Sequence, residues 1–443
     1  MLEAYSNAVV WIVVFSFLVA FFLAFGVGAN DVANSFGTSV GSKVLTLRQA
    51  CILATIFEIL GALLMGYKVS DTVRKEIFDL EMYTDEEKLL MMGNLAALFG
   101  SAVWNIVATF LKLPISGTHS IIGAILGFTC VAKGFRGIRW KTLGFIVASW
   151  FLSPLLSGLV SVAIFLLIRR FILSKENPGD AGLTALPLFY GFTVFVNVIS
   201  VVLDGSPVLR LDNIPAWLAA TVSGVVAILI AIIIRVQVVP RERQKGVSSR
   251  EQNELSVENP IAADENAEVS DDSRPEVANL FKSLQVMTAI FGSFAHGGND
   301  VSNTIAPLVS LWLIYANNPD GETPAWLLIY GGVGISAGLW IMGRKVIETM
   351  GKDLSKITPT SGFTIEIGSA TTVLMASKFG LPISTTHCKV GSVVFVGCAR
   401  TRSTKEVDLK LFRSIVLAWL VTLPFTAIFS AFMLLILYSV TVP

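Results

Sequence analysis

Asp31 and Asp300 each sit in an apolar stretch, in segments that nearly repeat one another: GANDVANS from Gly28 to Ser35 and GGNDVSNT from Gly297 to Thr304. An aspartate in hydrocarbon costs on the order of 2.5–3.5 kcal/mol even on a lenient insertion scale. It is tolerated where it lines a cavity or holds an ion, and the glycines beside it let the backbone leave the helix there. Carboxylate, asparagine and unwound carbonyl oxygens are donors for a hard cation. Asn30, Asp31, Asn34, Asn299, Asp300 and Asn303 are therefore candidate Na+ ligands. Two further acids lie deep in apolar runs and join that set: Glu58 in ATIFEILGALL and Glu366 in SGFTIEIGSATT. No arginine is embedded with them, and Lys112 and Lys378 stand just before the Leu-Pro pairs. The pocket reads as acids without bases, which attracts Na+ or H+.

A second duplicated motif carries the opposite chemistry. LPISGTH (113–119) aligns with LPISTTH (381–387). Proline at a helix start, followed by Ser and Thr, offers hydroxyls and free backbone N–H groups at a positive helix end, a ready anion site. The candidate oxyanion ligands are Asp31, Ser116, Gly117, Thr118, Asp300, Ser384, Thr385 and Thr386. Cation and anion sites side by side lower each other's burial cost, which is the logic of a symporter. Near neutral pH phosphate keeps an O–H that can donate to Asp31 or Asp300. Sulfate has none, and a site built around such a donor rejects the analogue lacking it.

Simpler roles compete with these. Ser116, Thr118, Ser384 and Thr386 can serve as helix N-caps, and the asparagines can bond across helices. All three histidines (His119, His296, His387) lie in or beside the motifs. His119 and His387 read as braces, whereas His296, which aligns with Val27, is a candidate for pH sensitivity. The two glutamates lack acidic repeat mates: Glu366 corresponds to Leu98, and Glu58 falls opposite Ile335 or a close neighbour.

The elements that position these residues are apolar helices. Of 443 residues 53% are hydrophobic and 15% charged, with a mean hydropathy of +0.70, against about 25% charged in soluble domains. Twelve apolar segments follow one another, at about 8–28, 48–67, 90–111, 113–132, 143–168, 186–203, 215–235, 284–313, 326–343, 363–380, 381–398 and 412–438. Many approach the roughly 20 residues that cross a bilayer core. The fold class is an all-α polytopic membrane protein of about twelve transmembrane segments. The net charge of +1 points to no nucleic-acid partner. The four cysteines fall in apolar segments without metal-type spacing and read as core residues. No nucleophile–base pair or nucleotide loop suggests an enzyme.

A charged, aromatic-poor stretch at 239–282 reads as a cytosolic, largely disordered linker. It separates a first membrane half (1–238) from a second (283–443). A third match, GYKVSDTVRKEI (66–77) with GRKVIETMGKDL (343–354), keeps the same order in both halves. Seven crossings between copies make the repeats inverted, with re-entrant or broken helices at matching places, an arrangement of secondary transporters. Lys/Arg placement puts 169–175, 343–356 and 399–410 in the cytosol, and the termini, the acidic 71–88 and 317–323 outside. The loop 133–141, with four positive charges, disagrees unless 113–132 is itself a re-entrant hairpin.

On the paired GANDVANSFGTSVGS and GGNDVSNTIAPLVS, the paired LPISGTH and LPISTTH, and the segment order, the sequence resembles the PiT family of inorganic phosphate transporters across all but the linker. The resemblance implies a twelve-helix inverted-repeat fold, a homodimer in the plasma membrane, and Na+-coupled phosphate uptake with no cofactor beyond the coupling ion. By motif position it also implies functional roles for Asp31, Asp300, Glu58, Glu366, Ser116 and Ser384. A proton-coupled phosphate transporter and a non-transporting phosphate sensor are the other expectations.

Overall fold

A chain in lipid must satisfy every backbone N–H and C=O internally, which favours helices. The computed structural model describes residues 3–204, 209, 211, 214–244, 275–343, 347, 357–401, 403 and 407–441. Among them, one isolated bridge joins Phe78 to Ile138. The first half contributes α1 (Val10–Asn30), α2 (Val32–Gly41), α3 (Leu47–Lys75), α4 (Glu87–Phe110), α5 (Gly117–Lys133), α6 (Trp140–Ile168), α7 (Pro178–Asp204) and α8 (Ala216–Ile233). The second contributes α9 (Pro275–His296), α10 (Ser302–Tyr315), α11 (Ala325–Met342), α12 (Pro359–Lys378), α13 (Thr385–Thr401) and α14 (Leu409–Thr441). Nine helical stretches among the described residues are long and apolar enough to cross a membrane. The segments that carry Asp300, Glu366 and the second LPIS motif are helical but outside that group. Residues 245–274 of the expected linker lie outside the described residues; its flanks are helical, to Gln244 and from Pro275.

Helix pairing crosses between the halves. α1 packs on α11, and α3 on α9. At each crossing a glycine lets two backbones touch. A Cβ on Gly28 would collide with the Ile335 carbonyl, and one on Gly297 with that of Glu58. Likewise Gly338 faces the Phe25 carbonyl, and Gly61 that of Phe294. The duplicated glycines thus serve close approach more than unwinding. At the first copy the helix is interrupted at Asp31 alone, whose N–H still donates to the Val27 carbonyl at 2.7 Å. At the second copy Gly297–Val301 widen into one π turn, a distortion frequent at functional sites.

α4 with α5, and α12 with α13, form two helical hairpins. Each tip reverses through a residue of left-handed backbone: Lys112 (φ 59°) in one, Gly380 (φ 66°) in the other. Ser116 then caps α5 by accepting the His119 N–H at 3.2 Å, and Ser384 accepts that of His387 at 3.2 Å. The segment 113–132 is therefore one arm of a hairpin and not a hairpin in itself. The clasping is crossed as well: α6 packs on α12 and α13, while α14 packs on α4 and α5.

One end of the bundle gathers both termini and the acidic loops. The Tyr5 N–H donates to the Tyr315 carbonyl at 2.9 Å, and Lys88 Nζ to that of Thr441 at 3.3 Å. Buried Arg74 donates to the carbonyls of Pro319 and Gly321 at 3.0 and 2.5 Å. The basic loop 133–141 lies at this same end. The Asp79 N–H donates to the Gly137 carbonyl at 2.9 Å, Lys133 pairs with Glu86 at 2.9 Å, and Arg139 with Asp79 at 3.3 Å. Its charges thus face the acids of 79–86, which accounts for their place in a loop that the charge rule alone sends to the other side.

Candidate functional site

The two buried aspartates meet the two hairpin tips in an exchange between halves. The Asp31 Oδ2 accepts the Gly117 N–H at 2.8 Å from the tip of its own half. Its Oδ1 accepts the Thr386 hydroxyl from the opposite tip. The Asp300 Oδ1 lies 3.3 Å from the Thr118 hydroxyl, again from the opposite tip. The tips also touch each other: the Thr118 hydroxyl donates to the Ile383 carbonyl at 2.9 Å, and Thr386 lies 3.2 Å from that of Ile115. Asp31, Gly117, Thr118, Asp300 and Thr386 therefore form one cluster. Ser116, Ser384 and Thr385 sit in the first turns beside it, buried.

The asparagines organise the surroundings. Asn30 receives the Ile115 N–H at 3.0 Å and donates to the Leu113 carbonyl at 2.8 Å, locking the first tip to α1. Asn303 donates to Thr118 at 3.2 Å and to the Asn299 oxygen at 3.0 Å, and Asn299 donates to Ser377 at 3.2 Å. The side chain of Asn34 lies outside the described ones.

His119 and His387 stack edge to face, centroids 4.5 Å apart, with Trp150 against the first at 3.9 Å and Trp419 against the second at 3.7 Å. The His387 Nδ1–H donates to the Trp150 carbonyl at 3.0 Å. They brace the hairpins against α6 and α14.

The candidate cation ligands divide into separate places. Glu58 does not touch either aspartate directly. It receives the Ser293 hydroxyl at 3.0 Å, and its Oε2 lies 2.7 Å from His296 Nδ1. The far side of that ring, Nε2, lies 3.4 Å from Asp300 Oδ2, so Glu58 reaches the cluster through His296. Glu366 stands apart, with Thr38, Ser39 and Thr288 donating to its carboxylate at 2.5, 2.6 and 2.6 Å. Four oxygen-bearing side chains around one point are a donor set that suits a hard cation.

The expectation of acids without bases fails at one residue. Lys389 is 4% exposed, and its ammonium and the Glu366 carboxylate attract each other. It lines a cavity of ≈ 20 Å³ with His296, Ser369 and Thr385, room for about one water. Chain distance from the acids hid it, because Lys389 belongs to the second LPIS motif, at the place where Ile121 stands in the first. That mismatch was the available signal. Thr38, Ser39 and Thr288 had none, since hydroxyls in membrane helices usually bond back to their own backbone.

A model of the phosphate transporter family matches residues 27–430. The chain belongs to that family. It is thus a multi-pass membrane transporter and not an enzyme. Among relatives of this family, sodium-dependent phosphate transporter 1-A of Danio rerio is 40% identical, with 98% of this chain and 96% of that protein covered. Sodium-dependent phosphate transporter 1 of Mus musculus is 35% identical over 99% and 97%. Sodium-dependent phosphate transporter 2 of Xenopus tropicalis is 39% identical over 96% and 98%. A solved structure described as the sodium-dependent phosphate transporter superposes with a TM-score of 0.83 at 34% identity, covering 97% of this chain and all of that one.

Proposed function

We propose that this member of the phosphate transporter family imports inorganic phosphate together with Na+ by alternating access. One observation carries the reading: Asp31 and Asp300 each meet the threonine of the opposite half's hairpin tip, Thr386 and Thr118 respectively. Phosphate enters between the tips, where Ser116, Gly117, Thr118, Ser384, Thr385 and Thr386 present hydroxyls and helix-start N–H groups and the aspartates accept its O–H. Na+ takes the carboxylate and asparagine oxygens around Asp31 and Asp300, with Glu366 a separate cation place. The sodium-dependent relatives support the choice of ion.

The duplicated backbone contacts at Gly28 and Gly297, and at Gly338 and Gly61, support two inverted repeats divided near the 239–282 linker. With hairpins that return to the side they entered, α1, α3, α6, α7 and α8 are the crossings between the copies. Their odd number keeps the repeats inverted. The shared end of the termini and acidic loops is then extracellular, the linker cytosolic, and the membrane the plasma membrane, with two chains forming a homodimer.

Purified protein in liposomes, loaded without phosphate, takes up radiolabelled phosphate when Na+ is supplied outside. Replacing Na+ by choline abolishes that uptake. Uptake unchanged in choline defeats the sodium claim, and uptake in choline that follows a pH gradient establishes proton coupling in its place. Phosphate binding without accumulation identifies a sensor.

A further inference from the structure

We infer that His296, Asp300 and Asp31 also form a binding site for a divalent transition-metal ion such as Zn2+ or Co2+, and that such an ion blocks the transport pathway. The blocking rests on the transport reading above; the binding does not.

Each of the three offers one ligand atom, and all of these lie within 4.8 Å of one another, buried. The geometry of two is already that of a coordination sphere. Metal–nitrogen and metal–oxygen bonds of ~2.0–2.1 Å at tetrahedral angles set neighbouring ligands about 3.3–3.4 Å apart. His296 Nε2 and Asp300 Oδ2 are 3.4 Å apart. Both atoms are buried and without a hydrogen-bond partner among the described residues. The other ring nitrogen of His296 is held by Glu58 at 2.7 Å. A carboxylate on the far nitrogen fixes the tautomer and the orientation of a metal-binding histidine. Asp31 would complete a three-ligand set by a small side-chain shift, leaving a fourth position for water or an anion's oxygen.

The donor chemistry separates this ion from the coupling ion. Na+ takes oxygen ligands, whereas an imidazole nitrogen with two carboxylates suits zinc, cobalt or copper. The Asp31 side lacks the device, because Val27 stands where His296 does and Ile335 where Glu58 does. The Glu366 place has only oxygen donors. A transition metal therefore goes to the Asp300 side, where it excludes both Na+ and the phosphate O–H from the aspartates.

Equilibrium dialysis of purified full-length protein against Zn2+, with Co2+ absorption as a second probe, tests binding without reference to transport. One tight Zn2+ per chain is expected, with intensified visible Co2+ bands of nitrogen–oxygen coordination. His296→Gln should weaken it at least 100-fold. Glu58→Gln, which keeps the ligand but removes the carboxylate charge behind the ring, should weaken it about 10-fold; it serves if His296→Gln is not monodisperse. His119→Gln with His387→Gln should leave Zn2+ affinity unchanged. Zn2+ should inhibit phosphate uptake, with the inhibiting concentration rising as Na+ and phosphate rise. No saturable Zn2+ binding, binding indifferent to both His296 and Glu58, or binding lost only in the His119/His387 variant overturns the inference. Zn2+ binding in a protein that takes up no phosphate sinks the transport reading and leaves the metal site standing.

Discussion

The two aspartates occupy matching positions and live differently. Asp31 has both oxygens engaged, one by the Gly117 N–H and one by the Thr386 hydroxyl. Asp300 has one oxygen near Thr118, while the other faces His296 without a hydrogen bond. The difference extends outward. Behind Asp31 the helix crossing is apolar, Val27 with Ile335; behind Asp300 the same crossing holds His296 with Glu58. Between hairpin and neighbour the first half has Leu98 and Ile121, both buried, where the second has Glu366 and Lys389. Duplication supplied one scaffold. Two substituted pairs made one copy a rigid anchor for the tips and the other a charged, under-bonded face.

The largest expected effect sharpens that contrast at the aspartates. Asp31→Asn and Asp300→Asn should each cut phosphate uptake about 30-fold or more, because removing one buried charge from its partners costs ~2–5 kcal/mol. They should part company in stability. In Asp31→Asn the amide oxygen keeps the Gly117 N–H while the Thr386 hydroxyl must turn to accept the amide N–H, so two bonds to a charged group become neutral ones at a cost of about 1–3 kcal/mol. Asp300→Asn changes mainly the unbonded oxygen. Thermal loss of the monodisperse detergent peak should therefore come at lower temperature for Asp31→Asn; the reverse order would undo the distinction between anchor and open face.

Next come the substituted pairs. Breaking a buried charged pair by removing one partner costs ~3–5 kcal/mol, whereas replacing both with apolar residues of similar volume is often neutral. Glu58→Ile alone should be strongly destabilising, and Glu58→Ile with His296→Val, which writes the residues of the crossing behind Asp31 into the crossing behind Asp300, should recover most of the melting temperature. Uptake should stay low in both if the pair serves transport. Lys389 and Glu366 attract each other without a direct bond, so Lys389→Ile should destabilise less and be rescued in part by Glu366→Leu. Recovery should be less complete here, since Thr38, Ser39 and Thr288 lose their acceptor. Equal melting temperatures for single and double variants would show that neither pair acts as a unit.

The smallest effect concerns the tips. Lys112 holds the left-handed conformation that Gly380 adopts freely, and a side chain there costs roughly 1–2 kcal/mol, part of which glycine's extra chain entropy offsets. Lys112→Gly should raise thermal stability by under about 1 kcal/mol, while Gly380→Lys lowers it. Both are read on the same thermal assay.

Duplication made the cluster legible in the sequence. GAND/GGND and LPISGTH/LPISTTH align residue by residue, and the structure brings Asp31, Asp300, Thr118 and Thr386 together. Segment positions were legible too, because twenty-residue apolar runs are unambiguous. What stayed hidden depends on pairing across distant helices. Nothing local says that Glu366 meets Thr38 and Ser39, or that Glu58 reaches Asp300 through an imidazole. Lys389 escaped because burial in a polar motif looks the same on paper as exposure. The glycines were legible as special but read for the wrong reason: they admit a neighbouring carbonyl, while the helix stays nearly intact. The basic loop 133–141 misled because charge counting ignores which acids stand opposite.

The crossed clasping of the hairpins has a consequence for how the chain can be divided. α6, made with the first hairpin, walls in the second, and α14, made with the second, walls in the first. Each half thus lends the other a face of its interior, as two links of a chain share one opening. A cut in 245–274 should yield fragments that are insoluble singly and reconstitute when made together, and any motion of one hairpin must be felt by the half that did not encode it.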